Sequence, residues 1–410
     1  MTSADAIVLG AGPAGLGAGL ALARAGARVV MLEGGSRAGG LCVTLRRDGF
    51  AYDLGGHIPF VRDDARVAWL RELLGGALRW VDRPVACVVD GRIVPGRYLD
   101  QRDPAQMGAA GPTGLDPASG LGYLAARAGA PAVERFMRRY LEKIDGMPLE
   151  RVPAARVERL LVGQAAPAGF WYPLGGIGRL MDAMAEAVQA AGGRVLLGAR
   201  AEAVLVEGGR VRAVDVEAAG RRLRIGAPAL VAGLPAGAAA ALVRPAPPAG
   251  IVPELRMRAV CIVYLAVARE RLTPEPWIQV DDPAVPFARL LEARNWSPGM
   301  APPGETVVGM ECYCDPDPAD PVWGLDDDAL AAACARALAQ PLGLLDDPAE
   351  ARPLQVVRLP RAYPVVALEE VERAMALPRW LASIGGMSLA QGGAVIEAIE
   401  AGEAAASRIL

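Results

Sequence analysis

The sequence contains few of the side chains that most often carry polar chemistry. Its 410 residues include one histidine, His57, and one lysine, Lys143, and 5% of the chain is aromatic. A single histidine cannot complete a Cys/His zinc site, and six cysteines spread over so long a chain do not form the disulfide framework of a small secreted domain. We therefore expect no metal site, and we expect reduced thiols in a cytoplasmic protein.

Neither sign of charge is in excess. The chain has 43 Lys+Arg against 46 Asp+Glu, which gives a formal net charge of -3. Without a basic field to attract a phosphate backbone, nucleic acid is not an expected partner. Hydrophobic residues make up 53% of the chain, which excludes a disordered protein. At roughly 100–200 residues per domain, the length predicts two or three domains, or one large enzyme with an inserted domain.

Long apolar runs are also scarce. No basic stretch precedes the first apolar run, and the glycine motif begins at Gly10, so we expect no cleaved signal peptide. The segment Ile225–Val243 is uncharged and about long enough to span a bilayer, but it contains Pro228 and Pro235 and is mostly Ala and Gly. We interpret it as a buried strand, Ala229–Ala232, followed by a short helix, and expect no transmembrane segment.

The N-terminal pattern is typical of a nucleotide-binding βαβ unit. An apolar strand, Ala6–Leu9, leads into the glycine turn Gly10–Gly15, a helix over Leu16–Ala25 and a second buried strand, Arg28–Leu32, which ends at Glu33. Glycines at this spacing let the backbone approach a pyrophosphate at the helix N-terminus, and the acid can accept hydrogen bonds from a ribose. The unit therefore predicts dinucleotide binding.

Two further glycine turns favour FAD over a nicotinamide. A glycine pair follows Arg37 in the segment Glu33–Gly40, and a third turn closes the segment Phe50–His57. A nicotinamide domain has no evident use for these turns, whereas an extended FAD needs a close backbone at several points along its length.

At this point the chain resembles the flavin-containing amine oxidase and protoporphyrinogen oxidase superfamily, and within it the porphyrinogen-oxidase-like branch. The similarity runs along nearly the whole chain and is specific for the superfamily, but it is a poor guide to substrate. It is carried by Gly10–Gly40, Asp53–His57, Arg139–Pro148, Phe170–Gly176, a substrate-domain turn at Arg361–Pro364, and a closing flavin motif from Gly385 to Gly402.

The resemblance implies an α/β fold with two domains. A Rossmann-type, discontinuous FAD-binding domain would comprise residues 1–75, 165–245 and 380–410. An α+β substrate domain would comprise residues 76–164 and 246–379, and its mixed sheet, including Glu311–Cys314, would cover the flavin. A final helix, Ala394–Ile409, would direct its N-terminus at the ring and stabilise negative charge there.

The resemblance also implies a set of residues that bind FAD. The closing motif contains no cysteine for covalent attachment, so we expect the FAD to be non-covalent. Those expected along the ADP half are Gly10, Gly12, Pro13, Ala14, Gly15, Glu33, Gly34, Arg37, Gly39 and Gly40, with Ala201 against adenine. Those expected near the flavin ring and ribityl chain are Gly55, Gly56, His57, Gly385, Gly386, Val395 and Ile396.

His57 and Lys143 are the candidates for direct chemistry. His57 could contact flavin or substrate, or be an ordinary hydrogen-bonded histidine. Lys143 could act as a base or position a water, or form an exposed ion pair with Glu142 or Asp145. Amine oxidases of the family carry a lysine at the position that Val260 occupies here, which disfavours amine oxidation.

The predicted function is FAD-dependent dehydrogenation of a small, cyclic organic substrate by hydride transfer to flavin N5. O2 or another acceptor would reoxidise the flavin, and the oligomeric state is not predicted. Three alternatives stay open: an amine oxidase, an isomerase or mutase without net redox, and a non-catalytic nucleotide-binding protein.

Overall fold

The computed structural model describes residues 2–61, 63–82, 85–98, 114–164 and 169–409. The strands are β1 (Thr2–Ser3), β2 (Ala6–Leu9), β3 (Val29–Glu33), β4 (Thr44–Arg47), β5 (Phe50–Asp53), β6 (Leu78–Asp82), β7 (Val85–Val89), β8 (Arg92–Pro95), β9 (Gly169–Pro173), β10 (Arg194–Leu197), β11 (Ala199–Glu207), β12 (Arg210–Ala218), β13 (Arg221–Gly226), β14 (Ala229–Ala232), β15 (Val243–Arg244), β16 (Arg256–Val267), β17 (Trp277–Gln279), β18 (Arg289–Glu292), β19 (Thr306–Cys314), β20 (Ala351–Val365) and β21 (Met387–Leu389).

The α-helices surround these strands. They are α1 (Pro13–Arg24), α2 (Asp64–Leu73), α3 (Gly120–Ala128), α4 (Ala130–Phe136), α5 (Arg138–Asp145), α6 (Ala154–Gln164), α7 (Gly178–Ala190), α8 (Ala236–Leu242), α9 (Ala293–Trp296), α10 (Asp327–Ala339), α11 (Val371–Ser383) and α12 (Val395–Ser407). Short 3₁₀ turns lie at Pro298–Met300, Pro348–Glu350 and Leu368–Glu370.

A parallel sheet forms the nucleotide-binding half. Within the described residues its strand order is β10-β3-β2-β14-β21, and every neighbouring pair is parallel. Both faces are covered, one by α1, α7 and α12 and the other by the antiparallel sheet that contains β11, β12 and β13. Burial on both faces explains why these strands are continuous apolar runs in the sequence rather than alternating ones.

The first and last helices pack with their backbones in direct contact. A Cβ atom built at Gly17 would lie 2.3 Å from Ile399 O, and one built at Gly402 would lie 2.0 Å from Ala14 O. The crossing of α1 and α12 therefore has no room for a side chain at either glycine. This contact fixes the middle of α12 against the first turns of α1.

A mixed sheet forms the other half, with the order β20-β16-β19-β18-β17-β7-β8 over the described strands. Side chains alternate along β16 and β19, as the period of two requires. One face, with Val260 and Tyr313, packs against α3, α4 and α5. The other face, with Cys261 and Cys312, packs against α10. The predicted α/β fold, with a Rossmann-type sheet and a separate mixed sheet, is confirmed.

The predicted turn at Arg361–Pro364 is wrong. These residues lie in β20, where Tyr363 pairs with Arg258 and Pro364 with Met257 of β16. β20 is the edge strand of the mixed sheet. Proline, which cannot donate a ladder hydrogen bond, is tolerated on an edge strand, so a proline-rich sequence was mistaken for a turn.

Two other expectations concern membranes and the division into domains. The chain between β8 and α3 is described up to Tyr98 and again from Gly114, and α3 begins at Gly120. No helix within the described ranges is long and apolar enough to cross a bilayer. The division into two domains at the stated boundaries stays a prediction.

Substitution of Gly402 tests the contact between α1 and α12. We expect Gly402→Ala to lower the free energy of unfolding by about 1–3 kcal/mol, because the new methyl group would overlap Ala14 O. Gly237→Ala in α8 is the matched control, since a Cβ atom there meets nothing within 4 Å. The control should stabilise the protein slightly, because alanine favours helix more than glycine does. Urea unfolding of both variants checks this, and equal stabilities would contradict the packing described.

Candidate functional site

The glycine turn after β2 is closed by contact between backbones. Gly10 has a φ of +85°, and its N–H donates to Leu32 O at 2.8 Å. A Cβ atom built at Gly15 would lie 1.9 Å from Gly10 O, so α1 passes directly over the turn. Gly12 is the N-cap residue of α1 and Pro13 its first residue, a position at which proline is favoured. The first N–H groups of α1 are thus presented at the carboxyl edge of the parallel sheet.

Glu33 lies at the same edge and joins two turns. Its Oε2 accepts from Ala11 N at 2.8 Å, and its Oε1 accepts from Gly35 N at 2.7 Å. Gly198 N donates to Gly35 O at 2.8 Å, which brings the start of β11, the strand that contains Ala201, beside this turn. Each carboxylate oxygen keeps a further lone pair, so Glu33 can also accept from a ribose hydroxyl.

A second glycine turn lies across the first. Gly39 N donates to Ala11 O at 2.7 Å, and Gly40 has a φ of +58°. A Cβ atom built at Gly40 would lie 3.3 Å from the Cα atom of Gly12. Two glycines therefore face each other without side chains, which is a cradle suited to a pyrophosphate.

A cavity of about 370 Å³ continues from this cradle. Its position next to the glycine turns fits the extended cofactor expected from the sequence. Its lining includes the carboxyl end of β3 and residues of β4 and β20. It is lined by Glu33, Gly35, Ser36, Arg37, Gly40, Val43, Leu45, Leu54, Gln355 and Val357.

Gly385 and Gly386 lie at the wrong end of the sheet to bind flavin, and this prediction is corrected. They precede β21, whose Met387 pairs with Leu230 at the beginning of β14. Gly385 N donates to Gly209 O at 2.8 Å, and a Cβ atom built at Gly386 would lie 2.2 Å from Pro228 O. Ligands of parallel sheets bind outside the carboxyl ends of the strands, whereas these glycines pack at the amino ends.

The glycines at the correct edge are Gly392 and Gly393, which follow β21 and lead into α12. Sequence reasoning missed them, although the strand-glycine-helix order at the end of the chain repeats the order at its beginning. Val395 and Ile396, the first residues of α12, are 4% and 3% exposed and pack in the core with α1. Their side chains face the protein, so they could reach a cofactor only through backbone N–H groups.

Asp53, two residues before Gly55, is a buried carboxylate that ties the end of β5 to β4, β9 and the start of α7. It accepts hydrogen bonds from the hydroxyl of Tyr172, from Thr44 Oγ1 at 2.7 Å and from Ile177 N at 3.1 Å. Burial raises the pKa of Asp53 to about 6, against the effect of these donors. Sequence reasoning noted Asp53 only as part of a motif, because its partners are far away along the chain.

Tyr264 of β16 holds the turn Gly55–His57 from the mixed sheet. Its hydroxyl donates to Asp53 O at 2.6 Å and accepts from Gly55 N at 3.2 Å. Its ring stacks on Tyr52, with centroids 4.1 Å apart. The turn is therefore held between the two halves of the molecule.

A second buried carboxylate, Glu311, meets the turn from β19, the strand next to β16 in the mixed sheet. Glu311 Oε1 accepts from Gly56 N at 2.9 Å. Its Oε2 accepts from the Tyr313 hydroxyl at 2.8 Å and from Arg289 Nη1 at 3.3 Å. Arg289 in turn donates through Nε to the Tyr140 hydroxyl at 3.1 Å. We call Arg289, Glu311, Tyr140 and Tyr313 the polar cluster.

The polar cluster was not predicted as a site. Glu311 lies on the mixed sheet, as expected, but its ion pair with Arg289 was not foreseen. The two residues are 22 positions apart and meet because β18 and β19 are antiparallel, with Arg289 opposite Glu311. Burial raises the pKa of Tyr313, so its hydroxyl remains a donor to Glu311.

His57 lies beside the polar cluster. Its Nδ1 atom is buried and has no hydrogen-bond partner among the residues that the structure describes. Burial lowers the pKa of His57, although Glu311 acts in the opposite direction, so the imidazole is neutral at pH 7. A buried ring nitrogen without a partner fits a site that receives a polar group from a bound molecule.

Lys143 is not part of this site. Its Nζ donates to three backbone carbonyls, those of Asp282 at 2.9 Å, Val285 at 2.8 Å and Phe287 at 2.8 Å. Burial lowers its pKa to about 8. The alternative of an exposed ion pair for Lys143 is therefore wrong. A direct role in chemistry does not fit either, because the ammonium group donates to three carbonyls of the loop before β18.

Val260, the position of the lysine in amine oxidases, lies on the cluster face of β16 opposite Tyr313. It is 3% exposed and belongs to the apolar core. No group at this position can bind a water, so the strand supplies packing rather than chemistry.

Comparison with known proteins agrees with this geometry. Residues 8–73 match an NAD(P)-binding Rossmann-like domain, and residues 124–410 match the flavin containing amine oxidoreductases. The chain belongs to the flavin-containing amine oxidoreductase family. The superfamily resemblance stated above is thus confirmed.

The individual relatives say less about function than the family match does, because each is either similar over a short stretch or similar in fold at low sequence identity. The all-trans-retinol 13,14-reductase of Danio rerio is 36% identical over 93 residues, which are 21% of this chain and 15% of that protein. The chain thus matches only a small part of this relative's length. A reduced UDP-galactopyranose mutase has a TM-score of 0.80 at 18% identity, over 99% of this chain and 95% of that one. A redesigned putrescine oxidase has a TM-score of 0.72 at 18% identity, over 100% and 99%. Such low identities show the fold alone.

The cradle can be tested with one pair of glycines. We expect Gly40→Val to weaken flavin binding at least about tenfold, because its side chain would enter the space opposite Gly12. Gly75→Val is the matched control, since its φ of +57° imposes the same backbone strain while a Cβ atom there meets nothing within 4 Å. The measurement is the flavin absorbance retained after purification, with titration of added FAD. Equal retention in both variants would contradict the assignment.

The raised pKa of Asp53 predicts a pH dependence of stability. Because the folded state binds a proton more tightly than the unfolded state, this group makes stability fall as pH rises from about 4 to about 6, by on the order of 2 kcal/mol. In Asp53→Asn, the free energy of unfolding should not show this fall between about pH 4 and about pH 6. Tyr172→Phe should extend it to higher pH, because a donor to the carboxylate is removed. Identical slopes for wild type and Asp53→Asn would show that Asp53 does not titrate in this range.

Proposed function

We propose that this flavin enzyme binds FAD non-covalently and dehydrogenates a small, cyclic organic substrate, with hydride transfer to flavin N5 and reoxidation by O2 or another acceptor. The observation that carries the proposal is the polar cluster against the turn Gly55–His57. The glycine cradle, Glu33 and the cavity beside them support FAD as the dinucleotide, and no cysteine lies near the end of β21 to bond it covalently. When bound, the flavin supplies the two-electron acceptor.

The residues of the chain would bind and orient the substrate. Arg289 is held by Glu311 and Tyr140, and Glu311 is held by Gly56 N, so the donors of the cluster are fixed before a substrate enters. Fixed dipoles in a site that excludes water act more strongly than they would in solution. The Nδ1 atom of the neutral His57 would form one hydrogen bond with the substrate, as donor or as acceptor according to the tautomer.

The cluster favours dehydrogenation of a neutral substrate over oxidation of an amine. Glu311 is paired with Arg289, so the carboxylate has no charge left to compensate a buried ammonium. Val260 supplies no lysine at the position that amine oxidases use. The cluster does not support the isomerase or mutase alternative. Glu311 compensates the positive charge of Arg289, so the cluster has no excess positive charge to bind an anionic sugar nucleotide.

An anaerobic visible spectrum tests the proposal. We expect purified protein to show a flavin band that bleaches when a porphyrinogen, a cyclic alkene or a cyclic alcohol is added, and that persists with a panel of amines. Bleaching by amines alone would overturn the proposal in favour of an amine oxidase. Turnover of a substrate without net electron transfer would favour an isomerase or mutase, and the lack of any flavin band would contradict the cofactor.

A variant of Glu311 tests the cluster. Glu311→Gln should retain flavin but slow its reduction about 10- to 100-fold, because Arg289 would lose its counter-charge and an NH2 donor would replace one of the two acceptor oxygens. Glu292→Gln is the matched control: it is also a buried glutamate of the mixed sheet, but it bonds Thr306 and Leu272 instead of the turn. Rapid-mixing measurement of flavin reduction compares the two, and equal rates would exclude a role of the cluster in the reaction.

A further inference from the structure

A separate cavity of about 300 Å³ opens between α5, α6, the end of β20 and α11. Most of its lining is apolar, and Met375 at its edge is 44% exposed. The apolar side chains that line it include Met147, Val152, Val365, Val371, Ala374 and Met375. A cavity of this size and lining suits a compact apolar molecule.

One polar group in the lining lacks a hydrogen bond. Asp145 is 8% exposed. Its Oδ1 accepts from Arg156 Nε at 3.2 Å and Nη2 at 2.8 Å. Its Oδ2 is buried, and no described residue donates to it. A buried carboxylate oxygen without a donor is costly, and a donor from a bound molecule would remove that cost.

The charged residues of the lining indicate which kind of ligand group would donate to Asp145 Oδ2. Arg156 and Arg159 line the cavity with Asp145, which gives two positive groups and one negative group. A ligand ammonium would meet the repulsion of both guanidinium groups. A hydroxyl is neutral, and it can donate to Asp145 Oδ2 while accepting from a guanidinium N–H.

The cavity lies next to the polar cluster, on the far side of one aromatic ring. Tyr363 lines the cavity and is 40% exposed. Its ring stacks on Tyr313, with centroids 6.1 Å apart and planes 24° apart. Tyr313 donates to Glu311, which contacts the turn Gly55–His57. A molecule in the cavity is therefore separated from the cluster by the ring of Tyr363.

We propose that this cavity binds the body of the substrate, and that the substrate is a largely apolar molecule whose hydroxyl group donates to Asp145. The hydroxyl is a recognition group, and Asp145 is a specificity-determining residue rather than a catalytic one. This inference rests on the proposed function, because it names the substrate class of the same site.

Three fluorescent probes that differ in one group test the site in the holoenzyme. They are 1-pyrenemethanol, 1-methylpyrene and 1-pyrenecarboxylate, with binding followed by fluorescence anisotropy. We expect the alcohol to bind about tenfold more tightly than the methyl compound, since one hydrogen bond to a charged acceptor is gained. In Asp145→Asn, Arg156 would hold the amide oxygen and an NH2 group would replace Oδ2, so the preference should fall to about twofold or less.

Variants on α11 separate the cavity from the rest of the surface. Met375→Trp should weaken all three probes at least about tenfold by filling the cavity edge. Arg379→Trp is the matched control on the same helix, because Arg379 is exposed and does not line the cavity. Thermal unfolding and flavin absorbance confirm that each variant is folded.

Each outcome decides the proposal. Equal affinity for the alcohol and the methyl compound, or tightest binding of the carboxylate, would overturn the assignment of a hydroxyl. Binding that Met375→Trp does not change would overturn the cavity. Bleaching of the flavin by cyclic compounds without a hydroxyl, at the same rate in Met375→Trp, would support the proposed function and overturn this inference. Alcohol binding that requires Asp145, without flavin reduction by any cyclic alcohol, would overturn the link to the reaction.

Discussion

The structure depends on the close approach of α1 to the segments around it. Gly15 lies against Gly10 O, Gly402 of α12 lies against Ala14 O, and Gly40 lies opposite Gly12. At the first two contacts a side chain would overlap a backbone oxygen, and at the third it would enter the space between two glycines. The helices α1 and α12 each follow the carboxyl end of a parallel strand, β2 and β21, so both N-termini lie at the same edge of that sheet. The cofactor site is therefore set by the absence of side chains more than by polar groups.

Two buried carboxylates extend this geometry from the parallel sheet to the mixed sheet. The carboxylate of Asp53 ties the residues just before the turn Gly55–His57 to Tyr172 and Ile177. Glu311 accepts from Gly56 N within the turn. Asp53 has neutral donors and a raised pKa, whereas Glu311 has the guanidinium of Arg289. The same turn is thus bound to both halves of the chain, and a shift of either half would move the site.

What the sequence could and could not predict follows from the distance between interacting residues. The βαβ unit was found because its strand, glycines, helix and acid are local, and β14 because its apolar run is uninterrupted. The pair of Arg289 and Glu311 depends on strand register, which no local pattern records. Lys143 was misjudged since its carbonyl partners follow it by about 140 positions. Gly385 was misplaced because glycines at the two ends of a short strand look alike in sequence.

Charge compensation relates the site to its substrate. Burying a charge is unfavourable unless a partner of opposite sign is close, and in the polar cluster both charges already have theirs. An incoming ammonium or phosphate would have to displace Arg289 or Glu311 from its partner, which would leave a buried charge uncompensated. A neutral molecule adds hydrogen bonds without that cost. The same reasoning holds in the cavity at Asp145, where Arg156 compensates the carboxylate but leaves one oxygen free. In both places a neutral polar group would add hydrogen bonds without displacing a guanidinium from its carboxylate.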